Sequence, residues 1–344
     1  MLVFSAPLSE DIHARLRASG AEIEAIDYGQ GVLHYYRALR GLARRFNVTT
    51  AHIVFFDYFS ALPWIARACG IRRVIYEMQN SGEFRATSWR KRLLRLRTKV
   101  MTRPIVAVIA ISEFVRQQLI KGGLAEGAIV VRWLGVDTER FKPDPRAREA
   151  WAKRFSIHPD ELILSTVSYL RPFKNPQVLV AACKELEARG VRARLFVAGG
   201  GEMLPDLQAL AGRLGVADRI HWLGNVPDPR PLLQASDIFL LASVGEAFGL
   251  VLAEAMACGV PVAGSRSGAL PEVLEEGRTG LLSAPLDAMG LANSIERLAR
   301  DASLRRGMGE HSIERVRKHF TVDIAVEKTI QIYDSIWNGH FRGG

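Results

Sequence analysis

Short apolar runs alternate with segments of helical period along almost the whole chain, and that alternation most restricts what it can fold into. Candidate strands stand at Leu2–Ser5, Glu22–Ile26, Ile53–Phe56, Arg73–Tyr76, Ile105–Ala110 and Ala128–Val131. A second series follows at Leu162–Ser168, Arg194–Ala198, Arg219–Leu223, Ile238–Leu241, Val260–Ala263 and Gly280–Leu282. Between them lie amphipathic stretches such as His34–Phe46 and Ser60–Cys69, and Ser112 is placed to N-cap a helix over Glu113–Ile120. Strands joined by crossover-length helices predict parallel sheets covered on both faces. Two such series predict two doubly wound α/β domains.

A chain of 344 residues, 48% of them hydrophobic, is large enough for two cores. Lys142-Pro143-Asp144-Pro145 can neither continue a helix nor donate to a ladder. The junction is therefore expected within 141–161, giving domains 1–150 and 151–321. A last helix, Val322–Trp337, is expected to pack back on the first domain from the tail 322–344. No run approaches the length of a membrane span, and MLVFSAPLSEDIH lacks the basic and apolar regions of a secretory signal. Cys69, Cys183 and Cys258 show no paired spacing and read as buried thiols of a reducing, cytoplasmic compartment.

In open parallel sheets ligands bind beyond the carboxyl ends of the strands, so the loops there carry the chemistry. The richest is Ser243-Val-Gly-Glu-Ala-Phe-Gly-Leu-Val-Leu-Ala-Glu254, which follows the strand Ile238–Leu241. Gly245 breaks the chain and a helix is expected over Phe248–Ala257. Its first amides, of Phe248, Gly249 and Leu250, would face phosphate or sugar oxygens, and Gly249 would allow close approach. Glu246 at the mouth and Glu254 two turns inside could accept hydrogen bonds from two hydroxyl-bearing parts of one ligand. On spacing alone the same pair also fits a carboxylate favoured by the helix dipole and a buried, paired glutamate.

E-A-F-G-L-V-L-A-E resembles the E-x7-E motif of retaining glycosyltransferases of family 4, which have the GT-B fold. Other segments resemble that family in order: G-V-D-T-E-R-F-K-P from Gly135, V-S-Y-L-R-P-F-K-N from Val167, F-V-A-G-G-G from Phe196, W-L-G-N-V from Trp222 and A-S-D-I-F-L-L-A-S from Ala235. After the motif come E-A-M-A-C-G-V-P-V, G-A-L-P-E-V and G-R-T-G-L-L. The likeness covers residues 107–320 closely and the first hundred residues only in layout.

The resemblance implies an α/β GT-B chain of two Rossmann-like domains with a donor and acceptor cleft between them. It implies that Glu246 contacts hydroxyls of the transferred sugar, that Glu254 holds the nucleotide ribose, and that Lys174 binds the donor diphosphate. The amides of Phe248, Gly249 and Leu250 would contact sugar and diphosphate. The family's companion arginine falls where this chain has Tyr169, and Arg171, two residues later, is the substitute. Gly200 lies in a tight turn beside the donor, and Val226 ends a strand that contributes to the base pocket. No cofactor and no metal is expected: no Asp-x-Asp is present, and Lys174 with Arg171 would neutralise the leaving diphosphate.

The acceptor side departs from the family. Ser5-Ala-Pro-Leu-Ser9 replaces a glycine-rich loop, and Gln79 stands where many relatives carry a histidine. Gln79, Asn80 and Ser81 are the acceptor-side candidates, and the same three residues also fit a turn that ends a strand. Formal net charge is +10, concentrated in Arg85, Arg90, Lys91, Arg92, Arg95, Arg97, Lys99 and Arg103. Trp89, Leu93, Leu96 and Val100 share a helical spacing there, so residues 85–103 read either as an interfacial helix on an anionic membrane or as a solvated helix packed on the domain.

The expected partners are a nucleotide-sugar, with UDP the commoner family choice and GDP the runner-up, and a glycan, lipid-linked or small-molecule acceptor. If lipid-linked, the enzyme would work at the inner face of the plasma membrane. Two other readings share the donor site: an epimerase or isomerase on the same fold, and a sugar-nucleotide-binding protein without transferase activity. Nucleic acid is not an expected partner, because no nucleic-acid motif accompanies the basic charge.

Overall fold

The computed structural model describes residues 2–4, 16–20, 22–54, 60–80 and 97–341. In the first half β1 (Leu2–Phe4) pairs with β2 (Ile23–Ala25). Beside them β3 (Thr50–Val54), β4 (Arg73–Met78), β5 (Ile105–Ala110) and β6 (Ile129–Val131) form a parallel sheet in that order. Helices α1 (Val32–Arg45), α2 (Leu62–Ala68) and α3 (Glu113–Lys121) alternate with these strands. β5 is apolar at every position, and Ala107 to Ala110 are at most 2% exposed. A strand buried on both faces needs such a run.

The second half begins with α4 (Ala147–Phe155), which lies inside the junction expected at 141–161 and packs Trp151 against Leu232 and Ala235. Six parallel strands follow: β7 (Leu162–Val167), β8 (Ala193–Ala198), β9 (Ile220–Gly224), β10 (Ile238–Leu241), β11 (Val262–Ser265) and β12 (Gly280–Ser283). Between them run α5 (Pro176–Ala188), α6 (Leu204–Leu214), α7 (Arg230–Ala235), α8 (Leu250–Ala257) and α9 (Leu270–Val273). Then come α10 (Ala288–Arg300), α11 (Ala302–His319) and α12 (Val322–Trp337). The strand order is β12-β11-β10-β7-β8-β9, which reverses direction between β7 and β10. That reversal opens a crevice at the carboxyl ends of those two strands, where a doubly wound sheet takes its ligand.

Both halves are parallel α/β layers, as the alternation predicts. Two strands begin two or three residues away from where they are expected. The one expected at Ile53–Phe56 begins at Thr50, because the ladder pairs Thr50 with Arg73, and residues 55–59 lie outside the described residues. The one expected at Val260–Ala263 begins at Val262, since Pro261 has no N–H to give and only accepts, from the Phe239 amide at 3.0 Å.

The halves share one apolar cluster, in which Met78, Val115 and Leu119 pack with Phe248, Leu252 and Phe320. α12 crosses back to the first sheet, where Ile332 and Ile336 pack on Ile75, Ala107 and Ile109. The crossing is close. Thr321 bridges Val136, and a Cβ on Gly135 would lie 2.6 Å from the Cα of Val322.

Candidate functional site

The loops after β7 and β10 flank the reversal point. The first folds into a short 3-10 turn, Pro172–Lys174, and the second carries Glu246. A backbone bond from the Val244 amide to the Phe173 carbonyl, 2.9 Å, ties the two loops together. Across them the Lys174 Nζ donates to Glu246 Oε2 at 2.6 Å, with side chains only 19% and 14% exposed. A third turn braces Glu246: the Ala269 amide donates to its carbonyl at 2.8 Å and the Gly245 amide to Ser267 Oγ at 3.0 Å. Gly268 sits at φ +62, and a Cβ there would come within 2.3 Å of the Glu246 carbonyl oxygen.

Lys174 also borders a cavity of about 420 Å3 lined by Ser168, Tyr169, Gly199, Asn225 and Val226. The Gly200 amide donates to Asn225 Oδ1 at 2.9 Å, which orients that side chain at the cavity rim. Lys174, Gly200 and Val226 are thus gathered at one place, with Glu246 joined to them through Lys174. Arg171 is exposed and lies over the ring of Tyr169, one of the residues lining that cavity, 4.5 Å from its centroid. Trp222 packs against the apolar core.

The helix expected from Phe248 starts at Leu250, because Gly249 takes a left-handed N-cap conformation at φ +85. Phe248 itself is 1% exposed and meets Phe320 edge-on at 5.7 Å, so its ring belongs to the core. Leu250 is 38% exposed at the helix mouth. Glu254, one turn further in, has no cation bonded to it among the described residues. Burial pushes its carboxyl up to about 7, and the charge of Arg140 only partly opposes this.

On the opposite domain Gln79 does not stand free. Its Nε2 donates at 2.7 Å to Glu77 Oε1. Glu77 is 3% exposed and gathers His52, at 3.4 Å, and the Arg132 guanidinium as well. Burial would raise its carboxyl, but the His52 hydrogen bond, the Arg132 charge and the Gln79 bond together bring it down to about 2. His52 in turn meets Tyr333 Oη at 2.7 Å, which links the hub to α12. Asn80 is exposed, whereas Ser81, the loop 5–9 and residues 81–96 of the basic segment lie outside the described residues.

Sequence reasoning passed over Asn225, Arg140 and Glu77. For Glu77 a signal was present: a carboxylate amid V-I-Y-E-M is out of place in a buried strand unless it is paired. It also passed over Glu272, whose carboxylate accepts from the amides of Glu113 at 2.7 Å and Phe114 at 2.5 Å. Ser112, the expected N-cap, accepts from the Val115 amide and donates to the Ala247 carbonyl at 2.6 Å. The start of α3 is therefore held by two residues of the other half, one of them beside Glu246.

The family model described as "Glycosyl transferases group 1" matches residues 147–315, and that described as "Glycosyltransferase Family 4" matches residues 8–140. Among curated proteins, N-acetyl-alpha-D-glucosaminyl L-malate synthase of Bacillus anthracis is 38% identical over 54% of this chain and 47% of its own length. The GDP-mannose-dependent alpha-(1-6)-phosphatidylinositol monomannoside mannosyltransferase of Mycolicibacterium smegmatis is 35% identical over 51% and 48%. The matches thus span about half the length of these curated relatives. Among solved structures, Anabaena Alr3699/HepE in complex with UDP and glucose superposes with a TM-score of 0.83 at 19% identity, covering 97% of this chain and 91% of that one. A glycosyltransferase from Rickettsia africae gives 0.82 at 21% identity, covering 97% and 89%.

Proposed function

The chain belongs to the glycosyl transferases group 1 family and has the GT-B fold, and from that membership we propose that it moves a hexose-type sugar from a nucleotide-sugar donor to a hydroxyl-bearing acceptor. The observation that carries the reading is the meeting of Lys174 and Glu246 at 2.6 Å, from loops on either side of the sheet's reversal point. A cation and a carboxylate fixed side by side suit a ligand that presents phosphates next to hydroxyls.

In this reading Lys174 takes the diphosphate, with Arg171 swinging in from the loop surface. Glu246 takes sugar hydroxyls, Glu254 takes the ribose, and the amides at the start of α8 face the oxygens between. Breaking the anomeric bond leaves negative charge on the diphosphate, and the two cations lower that barrier without a metal ion. Transfer proceeds with retention at the anomeric carbon. UDP is the preferred carrier, supported by the UDP-bound structural relative, and GDP is the runner-up, supported by the GDP-mannose-dependent one. The acceptor is a glycan, a lipid-linked sugar or a small molecule, held on the Gln79 side. The basic segment at 85–103 would place the chain on an anionic membrane if that acceptor is lipid-linked.

The test is thermal shift with UDP and GDP, together with mass spectrometry of UDP-glucose and GDP-mannose after incubation. At least one nucleotide raises the melting temperature, and its sugar nucleotide is slowly turned over. No shift with either nucleotide, and no change on Glu254→Ala, sinks the donor-site assignment.

A further inference from the structure

Lys174 and Glu246 stand on backbone that is held in place on three sides. The loops beneath them are bonded through Val244 and Phe173, and the turn at Ser267 to Ala269 grips Glu246 from the far side. The 2.6 Å contact is therefore set by the fold rather than by two wandering side chains. Both side chains are largely out of water, so each charge has given up hydration and depends on the other. Arg171, by contrast, is exposed and forms no ion pair with any described residue.

An anion entering the cavity beside Lys174 must share or take that ammonium. A bare diphosphate does so at the expense of Glu246, whose carboxylate is then left half-buried next to further negative charge. A diphosphate that carries a sugar brings hydroxyls within reach, and these donate to Glu246 as its ammonium turns to phosphate. We propose that the Lys174–Glu246 ion pair is a selectivity device, one that weakens the hold on a free nucleoside diphosphate and yields to one that still carries its sugar. This rests on the donor-site reading given above.

The same pair bears on product release. In transfer, the acceptor hydroxyl oxygen bonds to the anomeric carbon as the bond from that carbon to the diphosphate breaks. The bonding pair stays with the diphosphate, and the hydroxyl proton passes to it or to solvent. The sugar then leaves with the acceptor, Glu246 loses its hydroxyl partners, and it recaptures Lys174. The hold on the nucleoside diphosphate weakens at the moment it becomes waste.

Titration calorimetry with UDP, GDP, UDP-glucose and GDP-mannose tests this on the full chain. Glu246→Gln, which keeps the shape and removes the charge, is expected to bind the free nucleoside diphosphate about tenfold more tightly. Its preference for the sugar nucleotide over the free one shrinks, and Lys174→Met weakens both. Glu246→Ala, with its melting temperature checked beside the wild type, serves as the second variant and gives the same sign. Unchanged or weaker UDP and GDP binding in both Glu246 variants, with the wild type binding normally, overturns the selectivity device and leaves the donor site standing. If none of the four compounds binds the wild type, both fall.

Discussion

Replacing Glu77 by glutamine is the sharpest stability test that the fold offers. The carboxylate accepts from Gln79 and Arg132 and lies 3.4 Å from His52 Nε2, while only 3% exposed. An amide in its place has one acceptor oxygen and turns a donor toward groups that also donate. A carboxyl drawn from 4.5 to about 2 holds its charged form more firmly when folded. At about 1.4 kcal/mol per tenfold this amounts to about 3 kcal/mol. The general cost of removing one partner of a buried ion pair, about 3–5 kcal/mol, agrees with it.

Urea unfolding at pH 7 should therefore show Glu77→Gln weaker than wild type by about 3 kcal/mol. Because the folded carboxyl is depressed, the stabilisation is complete above about 4.5 and is lost as the pH falls toward about 2. The gap between the two proteins should close over that window. Adding Arg132→Met to Glu77→Gln should recover part of the loss, since the stranded guanidinium goes with its partner. A cost below about 1 kcal/mol at pH 7, or one that does not shrink in acid, would refute the hub as described.

Other outcomes follow from the same geometry. Glu254 has its carboxyl raised to about 7, so the folded state holds a proton there that the unfolded chain gives up nearer 4.5, and stability declines as the pH rises through that window. Unfolding of Glu254→Gln between pH 5 and 8 should lack this decline, by roughly 1–3 kcal/mol. If the ribose binds to the ionised form, nucleotide affinity in the wild type rises across pH 7, a trend that calorimetry should find absent in Glu254→Gln. Gly268→Ala puts a Cβ against the Glu246 backbone in a left-handed conformation. It should cost about 1–3 kcal/mol and abolish turnover of the sugar nucleotide even where the protein still folds at low temperature. Ser112→Ala loses a cap worth about 1 kcal/mol together with the bond to Ala247, and urea midpoints with Glu272→Ala as partner should show whether the two contacts to α3 add.

The layers of this fold were legible because each is written in a local period. β5 is an unbroken apolar run, and β10 is another. Pro261 is the instructive exception, since an apolar residue continues the pattern while its missing N–H moves the start of β11. The donor candidates were legible for a related reason, as loops directly after strands reach the crevice whatever the rest of the chain does. Gly249 shows the limit. Its glycine was read as room for a ligand, and it serves as the left-handed cap that shifts the start of α8 to Leu250. Arg171 shows another, for its spacing from Lys174 does not tell that its guanidinium lies over the Tyr169 ring.

Most of the contacts that escaped the sequence join residues far apart in the chain. Glu77 to Arg132 spans 55 residues, His52 to Tyr333 spans 281 and Glu113 to Glu272 spans 159. No periodicity records such pairs, because what selects them is burial: a charge placed in a core strand obliges some distant segment to bring its partner. Gln79 is the case where this changes the chemistry. As a lone residue it looked like a histidine that had lost its ability to titrate. In the fold its amide N–H2 is committed to an ionised Glu77, which fixes the amide's orientation and leaves the carbonyl oxygen as the group still able to bond elsewhere. β4 pairs Met78 with Ala110, two residues before the Ser112 that touches Ala247, so the carboxyl end of β4, where Gln79 follows, lies one strand over from a contact to the Glu246 loop. If that edge receives the acceptor, a hydroxyl that donates a hydrogen bond suits it and a group that only accepts does not.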